Sequence, residues 1–258
     1  MEYFFANEQV RVEMQQMYLR TFPDLEKLYS KFYRVQAKMR NNAQLLDCVK
    51  VYNMIHTLES LVQHLDDNCI DEEADLRVHI IEPLKGVCDE FKKLKEMLEE
   101  CIDIAKAKQN DYVINPNFCP DLQELDKQIE GVKSKMEELR TQVCDDLALN
   151  QPLKLVESNL HTYLFECLKQ EGDNGMRKSK QNYKIIGIKN RIMSFTCPGL
   201  KDLCRQFTDL EEQYKIQQLE LVGKVLDIAS TYYPLLESVS MLVSKLDVLA
   251  AFAQVSSQ

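Results

Sequence analysis

Seven cations crowd one short stretch of this chain. Lys169, Arg177, Lys178, Lys180, Lys184, Lys189 and Arg191 fall within residues 169–191, against only Glu171 and Asp173. The whole chain carries a formal charge of −9, so the stretch stands out from its surroundings. Charge on flexible stems suits phosphate oxygens, whose recognition needs no base-reading geometry. Arg177, Lys178 and Lys180 sit in a glycine-bearing segment, 171–182, expected to be an exposed loop. Lys184-Ile185-Ile186-Gly187-Ile188-Lys189 reads as a strand, but its alternation does not fix which face its lysines share. Two uses of this charge stay open from composition alone. It can meet phosphates, or it can protect a strand edge from unwanted pairing with no ligand involved.

Other chemistries find little support. His56, His64, His79 and His161 are isolated, without the spacing of a metal site. Glu99-Glu100, Glu137-Glu138 and Glu211-Glu212 fall on helix faces expected to be solvated. No Gly-x-x-x-x-Gly-Lys phosphate loop and no Gly-x-Ser-x-Gly elbow occurs. The nine cysteines are irregularly spaced with no C-x-x-C pair, the pattern of free thiols in a reducing compartment. No apolar run approaches the ~18 residues that span a bilayer, and MEYFFANEQV lacks the regions of a signal peptide. A soluble intracellular protein with no catalytic centre and no cofactor of its own is expected.

The elements that would position the basic stretch are two heptad helices. Leu122, Leu125, Ile129, Val132, Met136, Leu139, Val143 and Leu147 step by three and four, as do Leu203, Phe207, Leu210, Tyr214, Gln217, Leu221, Val225, Ile228 and Tyr232. Such a seam keeps one face of each helix toward a partner. Residues 150–199 between them hold four of the seven glycines and strand-like runs at 153–157, 160–168 and 183–196. Before the first heptad helix, apolar stripes predict helices over about 7–20, 24–40, 42–65 and 75–108. Pro23 breaks the first from the second, Asp24 can cap the second, and Pro83 kinks the fourth or starts a fresh helix. Residues 111–120 form an ordered connector, and 235–253 a helix apolar on nearly every side and therefore expected to be buried.

Leu19-Arg20-Thr21-Phe22-Pro23-Asp24-Leu25-Glu26-Lys27-Leu28 resembles the segment that opens the helical core of the MutS family of mismatch-repair proteins. Lys31-Phe32-Tyr33-Arg34, Leu46-Asp47-Cys48, Val51-Tyr52 and Ile55 continue the likeness. The run from Asn115-Pro116-Asn117-Phe118-Cys119-Pro120 to Leu125 resembles the family's entry into its lever helix. Ser158 to Phe165, with Tyr163 and Phe165, is similar to its first clamp strands. Phe195-Thr196, Leu200 and Leu203 resemble the return to the second lever. Leu246-Asp247-Val248-Leu249-Ala250-Ala251-Phe252-Ala253 is similar to the last helix before the ATPase domain. The likeness is greatest to the eukaryotic branch that supplies the shared subunit of the mismatch-recognition heterodimers.

The resemblance implies a mainly α chain: a helical core with a long antiparallel two-helix lever arm carrying a small β-rich clamp at its tip. Its parts would be core residues 1–120, a first lever helix 121–152, a clamp 153–199, and a second lever with its return to the core, 200–258. It implies a nuclear protein with no membrane association. Duplex DNA would be gripped through its backbone by Arg177, Lys178, Lys180, Lys184, Lys189 and Arg191. A second MutS-homologue subunit would be the partner, and ATP and Mg would belong to an ATPase domain outside this chain. No phenylalanine is followed two residues later by glutamate, so the family's mismatch-reading Phe-x-Glu is not here. Three residues depart from the pattern. Thr162 stands where glycine is usual, and Ser194 where a base is common. Asn190-Arg191-Ile192 replaces an Asn-Gly turn, which works against a tight hairpin. Two rival readings are a helical coiled-coil scaffold with a protective basic tip, and an unrecognised enzyme.

Overall fold

The structure, a computed structural model, describes residues 2–69, 75–158 and 162–257. The chain divides into two compact units, one formed by residues 1–115 and 219–258 and the other by 116–218. His161, the first two residues of the expected strand 160–168 and most of the charged run 71–77 lie outside the described residues.

The first unit is helical. It opens with α1 (Glu2–Ala6), α2 (Glu8–Glu13) and a π-helical turn, Met14–Tyr18, followed by a 3-10 turn, Leu19–Thr21. Then come α3 (Leu25–Gln36), α4 (Leu45–Asn68), α5 (Glu82–Cys101), α6 (Ile104–Ala107) and, after the excursion into the second unit, α10 (Tyr233–Ser256). Asp24 caps α3, its carboxylate accepting the Lys27 N–H at 2.9 Å. The helical backbone runs unbroken from the π-helical turn Arg77–Ile81 into α5. Glu82 keeps helical dihedrals, φ −63° and ψ −44°, and its N–H donates to the Arg77 carbonyl, so Pro83 is taken up just after a π-bulge and starts no fresh helix. The expected helix 75–108 therefore holds as one stretch from residue 75 through Cys101 and breaks only before α6. The break after α5 is an extended Ile102, bridged to Ile114 in the connector.

The core of this unit follows the apolar stripes. Leu28 and Phe32 of α3, Ile55, Leu58 and Leu61 of α4, Leu84, Phe91 and Leu94 of α5, and Val239 and Leu246 of α10 are all buried. Each such side chain contributes roughly 1.5–3 kcal/mol on leaving water. Two charges are taken inside. The Arg11 guanidinium donates to the Phe4 carbonyl at 3.2 Å and to Glu8 at 3.3 Å, and Asp47 receives the Lys31 ammonium on both oxygens at 2.8 Å and accepts the Gln44 N–H. α10 corrects an expectation. It packs on α3, α1 and α5, yet leaves Met241, Val248, Phe252 and Val255 more than half exposed. Its apolar circumference is therefore not fully buried.

The second unit contains α7 (Pro120–Asp146), a four-stranded sheet, α8 (Lys169–Lys178) and the start of α9 (Pro198–Ser230), a helix that continues into the first unit. The strands β1 (Lys154–Ser158), β2 (Thr162–Leu168), β3 (Lys184–Lys189) and β4 (Ile192–Thr196) are antiparallel in the order β1-β2-β4-β3. The expected run 183–196 is thus a hairpin, turned at Asn190 and Arg191. Phe165, Met193 and Phe195 line one face of the sheet and are fully buried. They join Ile129, Val132, Met136 and Val143 of α7 and Leu200, Cys204 and Phe207 of α9 in one apolar cluster. The heptad seam of α7 is therefore real. In α9 it holds through Leu203, Phe207, Leu210 and Tyr214, is taken up again by buried Leu221 and Val225, and departs at Ile228, which is exposed while Ala229 is buried in its place. Steps of four follow a straight helix, which drifts away from a strict 3.5-residue repeat.

Candidate nucleic-acid interface

The six basic residues occupy four kinds of backbone. Arg177 and Lys178 form the last turn of α8, Lys180 follows it, Lys184 and Lys189 end β3, and Arg191 sits in the hairpin turn; all six are exposed. The expected loop 171–182 is corrected: most of it is helix. Glycine suggested a loop, but Gly172 and Gly175 are buried and there to let α8 approach its neighbours closely. A Cβ on Gly175 would stand 2.4 Å from the Leu147 carbonyl oxygen. The signal for a helix was its charge order, Glu171 in the first turn and Arg177 and Lys178 in the last, which complements the helix dipole.

Strand β3 resolves the face of its lysines. Ile185 pairs with Phe195, but Gly187 pairs with Ser194, so Ile186 is an extra residue in a bulge. Five residues apart in a regular strand, Lys184 and Lys189 would point to opposite faces. The bulge restores their parity: Lys184 opposes Thr196 and Lys189 opposes Ile192, on the face that also carries Ser194. Opposite two residues four apart on β4, they stand roughly 13 Å apart along the strand at about 3.3 Å per residue.

The hairpin turn survives the loss of its glycine. Asn190 and Arg191 both take positive φ, 51° and 66°, which closes a two-residue turn of the type that matches strand twist. Arg191 adopts a left-handed conformation at a steric cost, and its carbonyl is fixed by the Lys169 N–H at 2.9 Å. Thr162, where glycine is usual, also has positive φ, 58°, and its hydroxyl lies 3.2 Å from that of Thr208. Ser194 donates to Glu166 at 2.9 Å, so a carboxylate rather than a base occupies the middle of this face.

Sequence reading missed two neighbours of Lys184. An open groove of about 400 Å³ is lined by Thr162, Lys184, Ile186, Thr196, Lys201, Cys204, Arg205, Thr208 and Asp209. Lys201 and Arg205 project from the first turns of α9 at a spacing of four, a signal present in the sequence but outside the basic stretch. The ion pairs of this unit are Lys133–Glu130, Arg140–Glu137, Arg205–Asp202 and Lys215–Glu211. Among the described residues, none of the six predicted cations is paired with a carboxylate within 4.0 Å, so their charge is available to a ligand.

Behind the basic end of α8 lies a tie. The Asp146 carboxylate at the end of α7 accepts from Ser179 Oγ at 2.5 Å and from Tyr183 Oη at 2.6 Å. Ser179 Oγ in turn accepts the Gln181 N–H at 3.0 Å. These hydroxyls, Ser179 first and then Tyr183, hold the Asp146 carboxyl below its ordinary range. Burial, followed by the bond to Asp146, pushes the Tyr183 phenol up, and its ring is edge-on to Phe195 at 5.6 Å.

Among the described residues none of the nine cysteines forms a disulfide. Burial pushes the Cys48 thiol up to about 12 and those of Cys88, Cys101 and Cys167 up to about 11. His56 lies within 3.8 Å of Glu99 and Glu59 on the surface of the first unit. Among the described residues no cluster of three or more metal-ligating side chains forms, and no helix is long and apolar enough to cross a membrane.

Comparison with known proteins places these features in a family. The family model described as MutS domain III matches residues 1–253. The chain is 26% identical to the Neurospora crassa DNA mismatch repair protein msh-2, over 98% of this chain and 26% of that protein. It is 25% identical to Dictyostelium discoideum Msh2 over 99% of this chain and 27% of that protein. To Saccharomyces cerevisiae MSH2 it is 25% identical over 96% of this chain and 26% of that protein. The chain thus spans about a quarter of the length of the curated relatives it matches. With its helical first unit and four-stranded antiparallel sheet, the chain belongs to the MutS family, as an MSH2-type domain III of the mismatch-repair proteins.

Proposed function

We propose that this chain grips duplex DNA by its phosphate backbone, acting as core, lever and clamp of a mismatch-repair subunit in the nucleus. The clamp would be the sheet unit, with α7 and α9 as antiparallel levers. Arg177, Lys178, Lys180, Lys184, Lys189 and Arg191 would supply the contacts, with Lys201 and Arg205 beside Lys184. ATP hydrolysis would reside in a domain outside this chain, and a second MutS-homologue subunit would close the grip from the other side.

The observation that carries the reading is where the cations lie. β3 is an edge strand, so lysines at its two ends also suit the protective role open to any edge. Arg177, Lys178 and Lys180 lie on or just after a helix, where no edge needs protection. The helix dipole accounts for Arg177 and Lys178 but neither it nor edge protection accounts for Lys180, whereas phosphate contact accounts for all six.

Neutralising ~2–4 phosphates gives weak non-specific binding, Kd ~10⁻⁴–10⁻⁶ M, with a log–log salt slope of about −2 to −4. The test is a salt titration of binding to random-sequence duplex by three proteins. These are the wild type, a variant with Arg177, Lys178 and Lys180 changed to Glu, and one with Lys184 and Lys189 changed to Glu. The clamp reading expects a shallower slope in both variants. If only the β3 variant changes oligomerisation and neither changes DNA binding, the cations are protective and the scaffold reading replaces this one.

A further inference from the structure

Two hydroxyls, those of Ser179 and Tyr183, join the basic segment to Asp146 behind it, and Ser179 is the one set among the cations. Its flanks are Arg177 and Lys178 on one side and Lys180 on the other, all exposed. Its backbone is extended, φ −73° and ψ 148°, at the start of a stretch without regular structure that runs to β3. Ser179 itself is half-buried, but exposed cationic flanks on extended backbone are what a basophilic serine kinase reads once the hydroxyl leaves Asp146. A second serine supplies a natural contrast: Ser134 has Lys133 and Lys135 on either side, but lies in the interior of α7, where the backbone cannot extend into a kinase cleft.

We propose that Ser179 is a phosphorylation site whose modification releases the basic segment from α7 and weakens the hold on a polyanion. The inference rests on the reading of this surface as a DNA-backbone interface. In the step itself, Ser179 Oγ attacks the γ-phosphorus of a nucleoside triphosphate bound to the kinase. The new O–P bond forms as the bond to the β-phosphate oxygen breaks. The hydroxyl proton passes to the kinase's base and the diphosphate leaves.

Two consequences follow from the geometry. The Ser179 hydroxyl is the donor to Asp146 at 2.5 Å, and the ester has no proton to donate. A phosphate of charge about −1.5 to −2 would then face the Asp146 carboxylate, turning a bond into a repulsion. Gln181, whose N–H is held by Ser179 Oγ at 3.0 Å, loses its partner geometry, and Tyr183 is left as the sole hydroxyl on Asp146. Second, the added charge offsets Arg177, Lys178 and Lys180 at their own position. Losing one phosphate contact near 0.1 M salt weakens duplex binding by roughly tenfold.

The experiment treats the 258-residue chain with a basophilic serine kinase and Mg·ATP, then maps the phosphate and measures amide exchange and duplex binding. We expect label on Ser179 and none on Ser134, faster exchange at Gln181, and about tenfold weaker binding. S179A should bind duplex within about threefold of the unmodified chain and carry no label at that position. Label on a free peptide of residues 174–184 but not on the folded chain would overturn the site, as would label with unchanged Gln181 exchange. If the unmodified chain does not bind duplex at all, the clamp reading fails, while the Gln181 amide still decides whether phosphate opens the tie.

Discussion

Helices α5 and α8 both carry glycine in their interiors, and the two uses are opposite. Gly86 of α5 is exposed, and a Cβ added there would meet nothing within 4 Å. Gly175 of α8 is buried against the backbone of Leu147. The first glycine only weakens its helix; the second lets α8 sit where it does. Their ends differ as well. α5 ends on backbone: the Ile102 N–H donates to Leu98, the Asn115 N–H to Cys101, and Ile102 bridges Ile114. α8 ends on a backbone bond too, the Ser179 N–H donating to the Gly175 carbonyl at 3.0 Å, and adds a side-chain tie from Ser179 Oγ to Asp146. Both units are thus held by burial of apolar faces, and the sheet unit adds close approaches at single atoms.

The largest expected effect breaks the closer packing. Gly175→Ala forces α8 off the Leu147 carbonyl, because a backbone atom cannot step aside. Overpacking of this kind costs about 1–3 kcal/mol, which here outweighs the roughly 1 kcal/mol that alanine adds to a helix. Gly172→Ala should cost less, since the nearest obstacle is the flexible end of Met193 at 2.1 Å. Urea melts of the two variants, with exchange protection across 169–178, check the order. Equal destabilisation would mean that α8 is not set by its contact with Leu147.

Gly86→Ala tests the other side and has the opposite sign. With open space around the new methyl group, it should stabilise α5 by about 0.5–1 kcal/mol. A rise in melting temperature without any change in duplex binding is the expected result. Destabilisation would show that α5, too, depends on a close approach at this position.

The same contrast explains what the sequence revealed. Local period announced α3, α4, α5, α7 and α9, because a helix buried on one face must repeat its apolar residues every three or four. Asp24 caps α3 as its chemistry predicts, whereas Pro83 sits in a continuous helix behind a π-helical turn. The fold of the sheet unit depends on pairing across distance. Ile186 becomes a bulge only because β4 passes beside it, and no local signal places that extra residue. Gly172 and Gly175 looked like loop residues because their purpose, contact with Met193 and Leu147, lies in other elements. Asn190-Arg191 looked unfit for a tight turn, yet the pairing of β3 with β4 imposes positive φ on both. The candidate cations were legible as charge; Lys201 and Arg205 were not, since their relation to Lys184 is spatial. The exposed stripe of α10 was misjudged because composition gives hydrophobicity but not the number of neighbours.

The smallest effect lies at the titratable end of α8. The Asp146 carboxyl is held below the ordinary carboxylate range by the Ser179 and Tyr183 hydroxyls, so its folded value lies below the unfolded one, about 3.9. A depressed carboxyl contributes its stability above the unfolded value and loses it as pH falls through the folded one. The tie should therefore be intact at neutral pH and loosen only below about pH 4. Because Asp146 is exposed and screened by solvent, the loss should stay under about 1 kcal/mol. Exchange at the Gln181 amide, followed down to the acid limit of folding, should quicken over that window. The Ile102 amide at the end of α5, held by a carbonyl, should not. Asp146→Asn keeps an acceptor for both hydroxyls and removes the titration, so its Gln181 amide should lose the acid dependence while the sheet stays folded. If the acid response persists in that variant, another group ends α8, and the contrast between the two helix ends fails.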